Sequence, residues 1–209
     1  TSREEQWKDL DIDIAGGKIE KNFFRGSAPK ALVEVMWHGD YEAWETKELY
    51  TYTFMIDVLK IKLREAMREE EGGVYGVGLR GSTSKFPDPK HSITMSFNSE
   101  PDNVENLLSI AMKEIEKVRT EGVEEKDMQK VRETMIQART KAMKENRWWL
   151  GSLDNNYRQE RNSFATFNLE VYQSIIKSIT ATEVQAVAKQ YFVEDNFIQL
   201  VMKPEEKGE

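Results

Sequence analysis

The 209-residue chain predicts an α+β fold, a largely antiparallel sheet with helices packed on one of its faces. Three observations carry this. Strand-like and helix-like stretches are mixed without the regular alternation a doubly wound sheet requires. The stretch Ser92–Ser99 sets Ile93, Met95 and Phe97 on one face against Ser92, Thr94, Ser96 and Asn98 on the other, the mark of a sheet with a single dry side. A long segment from Glu45 to Glu70 carries Leu49, Tyr52, Ile56, Leu59, Leu63 and Met67 at spacings of three and four, which gather on one side of a helix.

Residues 1–15 form a polar, acidic N-terminal segment; residues 16–204 form the domain, and 205–209 a tail. Gly16-Gly17 punctuates entry into a strand over Lys18–Phe24, and Gly26 to Lys30 reads as a turn. Ala31–Trp37 is apolar, rich in strand formers and too short for a typical helix, so it is assigned as a central strand. After the long helix Gly72-Gly73 acts as a stop; Val74–Arg80 and Ser92–Ser99 follow as strands joined by a loop containing Pro87 and Pro89. Ser99-Glu100-Pro101-Asp102 offers caps and an early proline to a helix bearing Val104, Leu107, Leu108, Ala111, Ile115 and Val118, which Gly122 closes. A helix over Glu124–Glu145 carries Met128, Val131, Met135, Ala138 and Ala142 on one side, and the two are expected to pair antiparallel. Further helices are read over Trp148–Arg161 and Leu169–Ser178. Thr180-Ala181-Thr182-Glu183 has capping-box spacing before another, and Phe197–Met202 is the last strand.

Composition narrows the function. Apolar residues at 39% and charged residues at 32% suit a folded soluble domain with its own core. The net charge is −7, with basic residues dispersed among acidic ones, which speaks against a nucleic-acid partner. No cysteine is present, so disulfides, thiol catalysis and Cys-ligated metals are excluded while the redox compartment stays open. No apolar run approaches the ~18 residues of a membrane span. Thr1 in place of Met suggests a processed terminus or an excised fragment.

Catalytic equipment is sparse. His38 and His91 are the two histidines, far apart in sequence, so no His-x-x-Glu-His can be written and no metal site is assigned. Neither lies near a nucleophile elbow. The glycines at 72, 73, 76, 78 and 81 follow a helix rather than precede one, the reverse of a phosphate loop. Glu69-Glu70-Glu71 reads as a solvated helix end, Trp148-Trp149 as a packing anchor, and the helical methionines as core. What remains is Arg68 at the helix end and Tyr75 on the next strand, two hydrogen-bond donors able to converge on one carbonyl. Taken alone, Arg68 equally suits a helix C-terminus and Tyr75 the packing of a sheet.

The segment Leu63-Arg64-Glu65-Ala66-Met67-Arg68-Glu69-Glu70-Glu71-Gly72-Gly73-Val74-Tyr75-Gly76-Val77 resembles the Arg-to-Tyr signature in the C-terminal halves of insulinase/pitrilysin-type zinc peptidases. The likeness runs from the Ala31–Trp37 strand through Glu121-Gly122-Val123-Glu124-Glu125 to Lys203-Pro204. In that family two similar α+β halves enclose a chamber, one carrying zinc on an inverted His-x-x-Glu-His motif and the other contacting substrate. This chain is similar to the second kind. The resemblance therefore implies that Arg68 and Tyr75 contact the substrate carbonyl, with Gly72, Gly73 and Gly76 expected in substrate binding: Gly72 and Gly73 permit a tight reversal between helix and strand, and Gly76 and Gly78 let an extended peptide or the facing lobe approach the backbone. It also implies no cofactor in this chain, zinc on a separate N-terminal lobe as partner, a peptide substrate, and no hydrolysis by this chain alone. The alternative it leaves is a catalytically inactive scaffold or partner subunit. Envelope-associated bacterial relatives suggest the periplasm.

Overall fold

Burial alternates strictly along the central strands. In β2 (Ala31–Asp40) the side chains of Ala31, Val33, Val35 and Trp37 are buried, and those of Leu32 and Glu34 are exposed. In β4 (Lys90–Ser99) Ile93, Met95 and Phe97 are buried on the same side. The computed structural model describes residues 12–68, 76–160 and 164–205. Three further strands, β1 (Lys18–Phe24), β3 (Val77–Ser84) and β5 (Phe197–Lys203), complete a five-stranded sheet in the order β1-β5-β2-β4-β3. All neighbouring pairs are antiparallel except β1 with β5, which run parallel.

The helices are α1 (Thr46–Arg68), α2 (Val104–Thr120), α3 (Glu125–Ala142), α4 (Asn146–Arg158), α5 (Leu169–Ser178) and α6 (Ala181–Tyr191). They cover the face that carries Val33, Val35, Ile93 and Met95; the opposite face has none of them. That open face is apolar toward β1, β5 and β2, with Phe23, Leu32 and Met202 exposed on it, and polar along β4. The α+β class and one-sided helix packing expected from the sequence are the observed architecture. No described helix is long and apolar enough to cross a membrane.

Helix α1 lies at the centre of the helical layer, against β3, α2 and α6 and also against α3 and α5. It consequently buries more than the one face its periodicity predicts: Phe54, Met55 and Val58 are as inaccessible as Leu59 and Leu63, while Leu49 is only partly covered. Lys62 reaches across to the buried Asp127 of α3 at 2.6 Å. The sheet lies close on α1 at Gly81, where a Cβ would sit 2.8 Å from Tyr52 Cε1 and 2.9 Å from Ile56 Cγ1.

The expected antiparallel pair of α2 and α3 is not formed. Helix α2 packs on α1 and α6, and α3 packs on α5 and α1. Gly122, at φ +85°, ends α2 in a left-handed turn open to glycine, and the extended Glu124 redirects the chain, so both apolar faces are satisfied by α1 rather than by each other. Other boundaries move modestly. β2 continues to Asp40, β3 to Ser84, and α3 ends at Ala142, while the expected extensions to Glu69, Glu70, Val74, Tyr75 and Arg161 lie outside the described residues. The Thr180–Glu183 capping box is present in both directions, Glu183 N–H donating to Thr180 Oγ1 at 3.2 Å and Thr180 N–H to Glu183 Oε2 at 2.8 Å. Asn168 caps α5 through Oδ1, which accepts from the backbone of Glu170 and Val171.

Two outcomes are expected. Gly81→Ala should destabilise the chain by ~1–3 kcal/mol in urea unfolding, because the added methyl meets a ring and a branched side chain that have little room to yield. His91, on β4 and only 7% exposed, has its imidazole pushed down to about 4 by burial and by His38, with Asp40 pulling the other way. The unfolded chain then takes up this proton first, so stability should fall as pH drops from about 6.5 toward 4 and level off below that. The contribution is about 2 kcal/mol once discounted for the ring's partial hydration, and His91→Phe should remove that part of the pH dependence.

Candidate functional site

The apolar run of α1 ends at Met67, which is fully buried, and the next residue, Arg68, is exposed in the last turn. A cation is favoured there by the helix dipole, and no described side chain forms an ion pair with it. The chain re-enters the sheet at Val77, the first residue of the edge strand β3. Gly76 is exposed, and a Cβ built on it would meet nothing within 4 Å, so backbone and approaching chain have free access. At Gly78 a Cβ would touch Ser96 Oγ at 3.4 Å, on the open sheet face. Gly72, Gly73 and Tyr75 lie outside the described residues. The described flanks are thus an exposed Arg68 on one side and an exposed Gly76 on the other.

Two other constellations were not legible in the sequence. His38 and His91 come together at one end of the β2–β4 ladder, where Gly39 is the register partner of His91. They line a cavity of about 250 Å³ with Phe86, Asp88 and Lys90. His38 Nε2 and His91 Nδ1 are both buried without a hydrogen-bond partner among the described residues. The His91 ring packs on Tyr191, with centroids 4.6 Å apart, inside a cluster that includes Tyr41 and Tyr52. Among the described residues no group of three or more His, Cys, Asp or Glu side chains could hold a metal ion. Zinc therefore does not fit on the described part of this chain.

The second constellation surrounds Arg139 in the last turn of α3. Trp148 and Trp149, expected to anchor packing, do stack edge-on against each other and against Phe167. Trp149 also donates its indole N–H to Met143 O at 2.9 Å. Trp148 in addition lies under the Arg139 guanidinium, at 5.0 Å from the ring centroid, and lines a cavity of about 380 Å³ between α1, β3 and α4.

A single open sheet face and an exposed Arg at the C-terminal end of a central, largely buried helix are what the described residues present here. The chain belongs to the peptidase M16 inactive domain family, whose sequence model matches residues 11–135. It is 26% identical over 148 residues to a "Zinc protease PQQL-like" protein of Arabidopsis thaliana, covering 67% of this chain and 16% of that protein. It is likewise 26% identical over 102 residues to a "Probable zinc protease PqqL" of Haemophilus influenzae, covering 49% of this chain and 11% of that one. Among solved structures it shares its fold with the periplasmic protease PqqL from Escherichia coli, with a TM-score of 0.77 and 18% identity, covering 91% of this chain and 21% of that chain. The crystallised first half of the same protease gives a TM-score of 0.75 at 12% identity, covering 98% of this chain and 46% of that one. The chain thus spans less than a quarter of the length of the curated relatives it matches.

A zinc titration tests the donor set directly. Calorimetry of the chain with zinc at neutral pH should show no stoichiometric high-affinity binding, since two histidines without a third ligand fall short of the three or four protein ligands such sites use.

Proposed function

We propose that this chain is the substrate-binding, zinc-free lobe of a zinc metalloendopeptidase, and that it presents Arg68 and Tyr75 to the scissile carbonyl of a peptide. The observation that carries the reading is the membership in the M16 inactive domain family together with an exposed Arg68 in the last turn of α1, which forms no ion pair with a described side chain. Water activation belongs to a zinc-bearing N-terminal lobe, on the same or a separate chain. This lobe's part is to hold an extended peptide and to aim donors at its carbonyl oxygen. As negative charge grows on that oxygen, a guanidinium that stays charged at every working pH and a phenol O–H lower the barrier by donating hydrogen bonds to it. Their value depends on being held in place before the reaction; the buried body of α1 fixes the backbone from which Arg68 projects. Gly72, Gly73 and Gly76 are the proposed substrate-binding glycines, and of these Gly76 is exposed with nothing within 4 Å of an added Cβ. Peptides or small unfolded proteins are the substrate class. The periplasm is the proposed compartment, because the E. coli PqqL with which the fold is shared is named a periplasmic protease.

The test is reconstitution with a zinc-bearing lobe, followed by cleavage of an internally quenched peptide. The chain alone should be inactive. Arg68→Ala should lower kcat by about 10²–10³-fold with little change in KM, and Tyr75→Phe should act in the same direction. Unchanged turnover in both variants would leave the catalytically inactive scaffold as the correct reading.

A further inference from the structure

Among the described residues, the Arg139 guanidinium is held by rings and partial charges alone. It stacks 3.9 Å from the centroid of Tyr172, 5.0 Å from that of Trp148 and 5.7 Å from that of Tyr50. It donates one hydrogen bond to Thr166 O at 3.2 Å and one to Tyr50 Oη at 3.1 Å, and it forms no ion pair with a described carboxylate. Asp57, whose field reaches Tyr172, is itself paired with Lys60 at 2.8 Å. Burial pushes the Tyr172 phenol up to about 12 even though Arg139 pulls it down, so this ring stays neutral and serves as a face for the cation. A partly buried Arg of this kind is ordinarily matched by a carboxylate, because its desolvation is costly and its planar fork fits two oxygens at once.

The missing anion has a place to sit. Arg139 lines the cavity of about 380 Å³, within the ~300–1,000 Å³ range of small-ligand sites. One part of the wall is hydroxyl and amide, from Thr46, Thr53, Ser82, Ser152 and Asn155; another is apolar, from Leu49, Trp148 and Phe167. The guanidinium has five N–H donors, of which two are committed to Thr166 and Tyr50, leaving capacity for a forked pair of bonds. We propose that this cavity binds a carboxylate borne on a small apolar body, such as the C-terminal residue of a short peptide, with Arg139 as the anion-binding residue and Trp148 and Phe167 contacting the side chain. The site is separate from Arg68, which lies at the opposite end of α1 from Tyr50, and it holds whether or not the lobe takes part in peptide cleavage.

The experiment is a titration of the 209-residue chain with N-acetyl-alanyl-leucine, with its C-terminal amide and with 4-methylpentanoate, followed by calorimetry and by the indole N–H resonances. The free acid should bind saturably and at least about tenfold tighter than the amide, and Arg139→Gln should erase that preference. Tighter binding of the peptide acid than of 4-methylpentanoate assigns a peptide terminus; equal binding assigns a simple organic acid, with the carboxylate site intact. Since Arg139→Gln also removes a tie between α3 and α1, Ser152→Phe serves as a second variant, filling the cavity while leaving that tie in place. It should abolish binding of the acid. Equal binding of acid and amide, absence of binding by either, or full retention in Ser152→Phe overturns the proposal.

Discussion

Enclosure of α1 is the constraint on which the remaining structure depends. The helix is pressed on β3 at Gly81 and surrounded by α2, α3, α5 and α6, so its central turns are buried almost all round. Burying a Phe, Leu or Met side chain of this kind contributes roughly 1.5–3 kcal/mol relative to leaving it in water, and Phe54, Met55, Leu59, Leu63 and Met67 do so together. One helix thereby holds the sheet and the outer helices in register. It also fixes the two ends of itself at which chemistry is available, Arg68 at its C-terminus and the Tyr50–Arg139 contact near its N-terminus.

This arrangement explains how a largely buried helix can end in an exposed charge. Arg68 follows directly on Met67, a fully buried anchor, so its backbone is fixed while its side chain stays in solvent. The strand that follows lies at the sheet edge, where backbone donors and acceptors are not consumed on one side by a neighbour. That junction falls within residues 11–135, which match the peptidase M16 inactive domain family. The open sheet face, apolar across Phe23, Leu32 and Met202, is the remaining broad surface of the described chain without a helix on it.

The polar groups inside the fold are organised by the same geometry. Lys62 and Asp127 link α1 to α3, Arg139 links α3 to α1 and to the turn at Thr166, and His91 sits among Tyr41, Tyr52 and Tyr191 beneath the sheet end. Each of these is a contact between residues distant in sequence. Their energetic sign is set by how much water is removed and whether a partner replaces it. Asp127 has a partner in Lys62, whereas Arg139 has only rings and neutral oxygens among the described residues.

The sequence by itself determined the elements whose signals are local: the period-two alternation of Ser92–Ser99, the run Ala31–Trp37, the stop at Gly122 and the capping box Thr180–Glu183. Each rests on the geometry of a few adjacent residues, and each appears in the structure. It also carried the Arg68–Tyr75 segment, because a family signature is a local string. Only the tertiary structure decided that α1 is buried on nearly every side, that α2 and α3 turn to α1 instead of to one another, and that His38 and His91 line one cavity. Periodicity records which side of a helix is apolar but not how many neighbours will surround it. Likewise Arg139, Trp148 and Tyr172 read as a helix-end cation and two packing rings until the chain brings them to one cavity, since the spacing of residues on separate elements is fixed by packing and leaves no trace in the order of the chain.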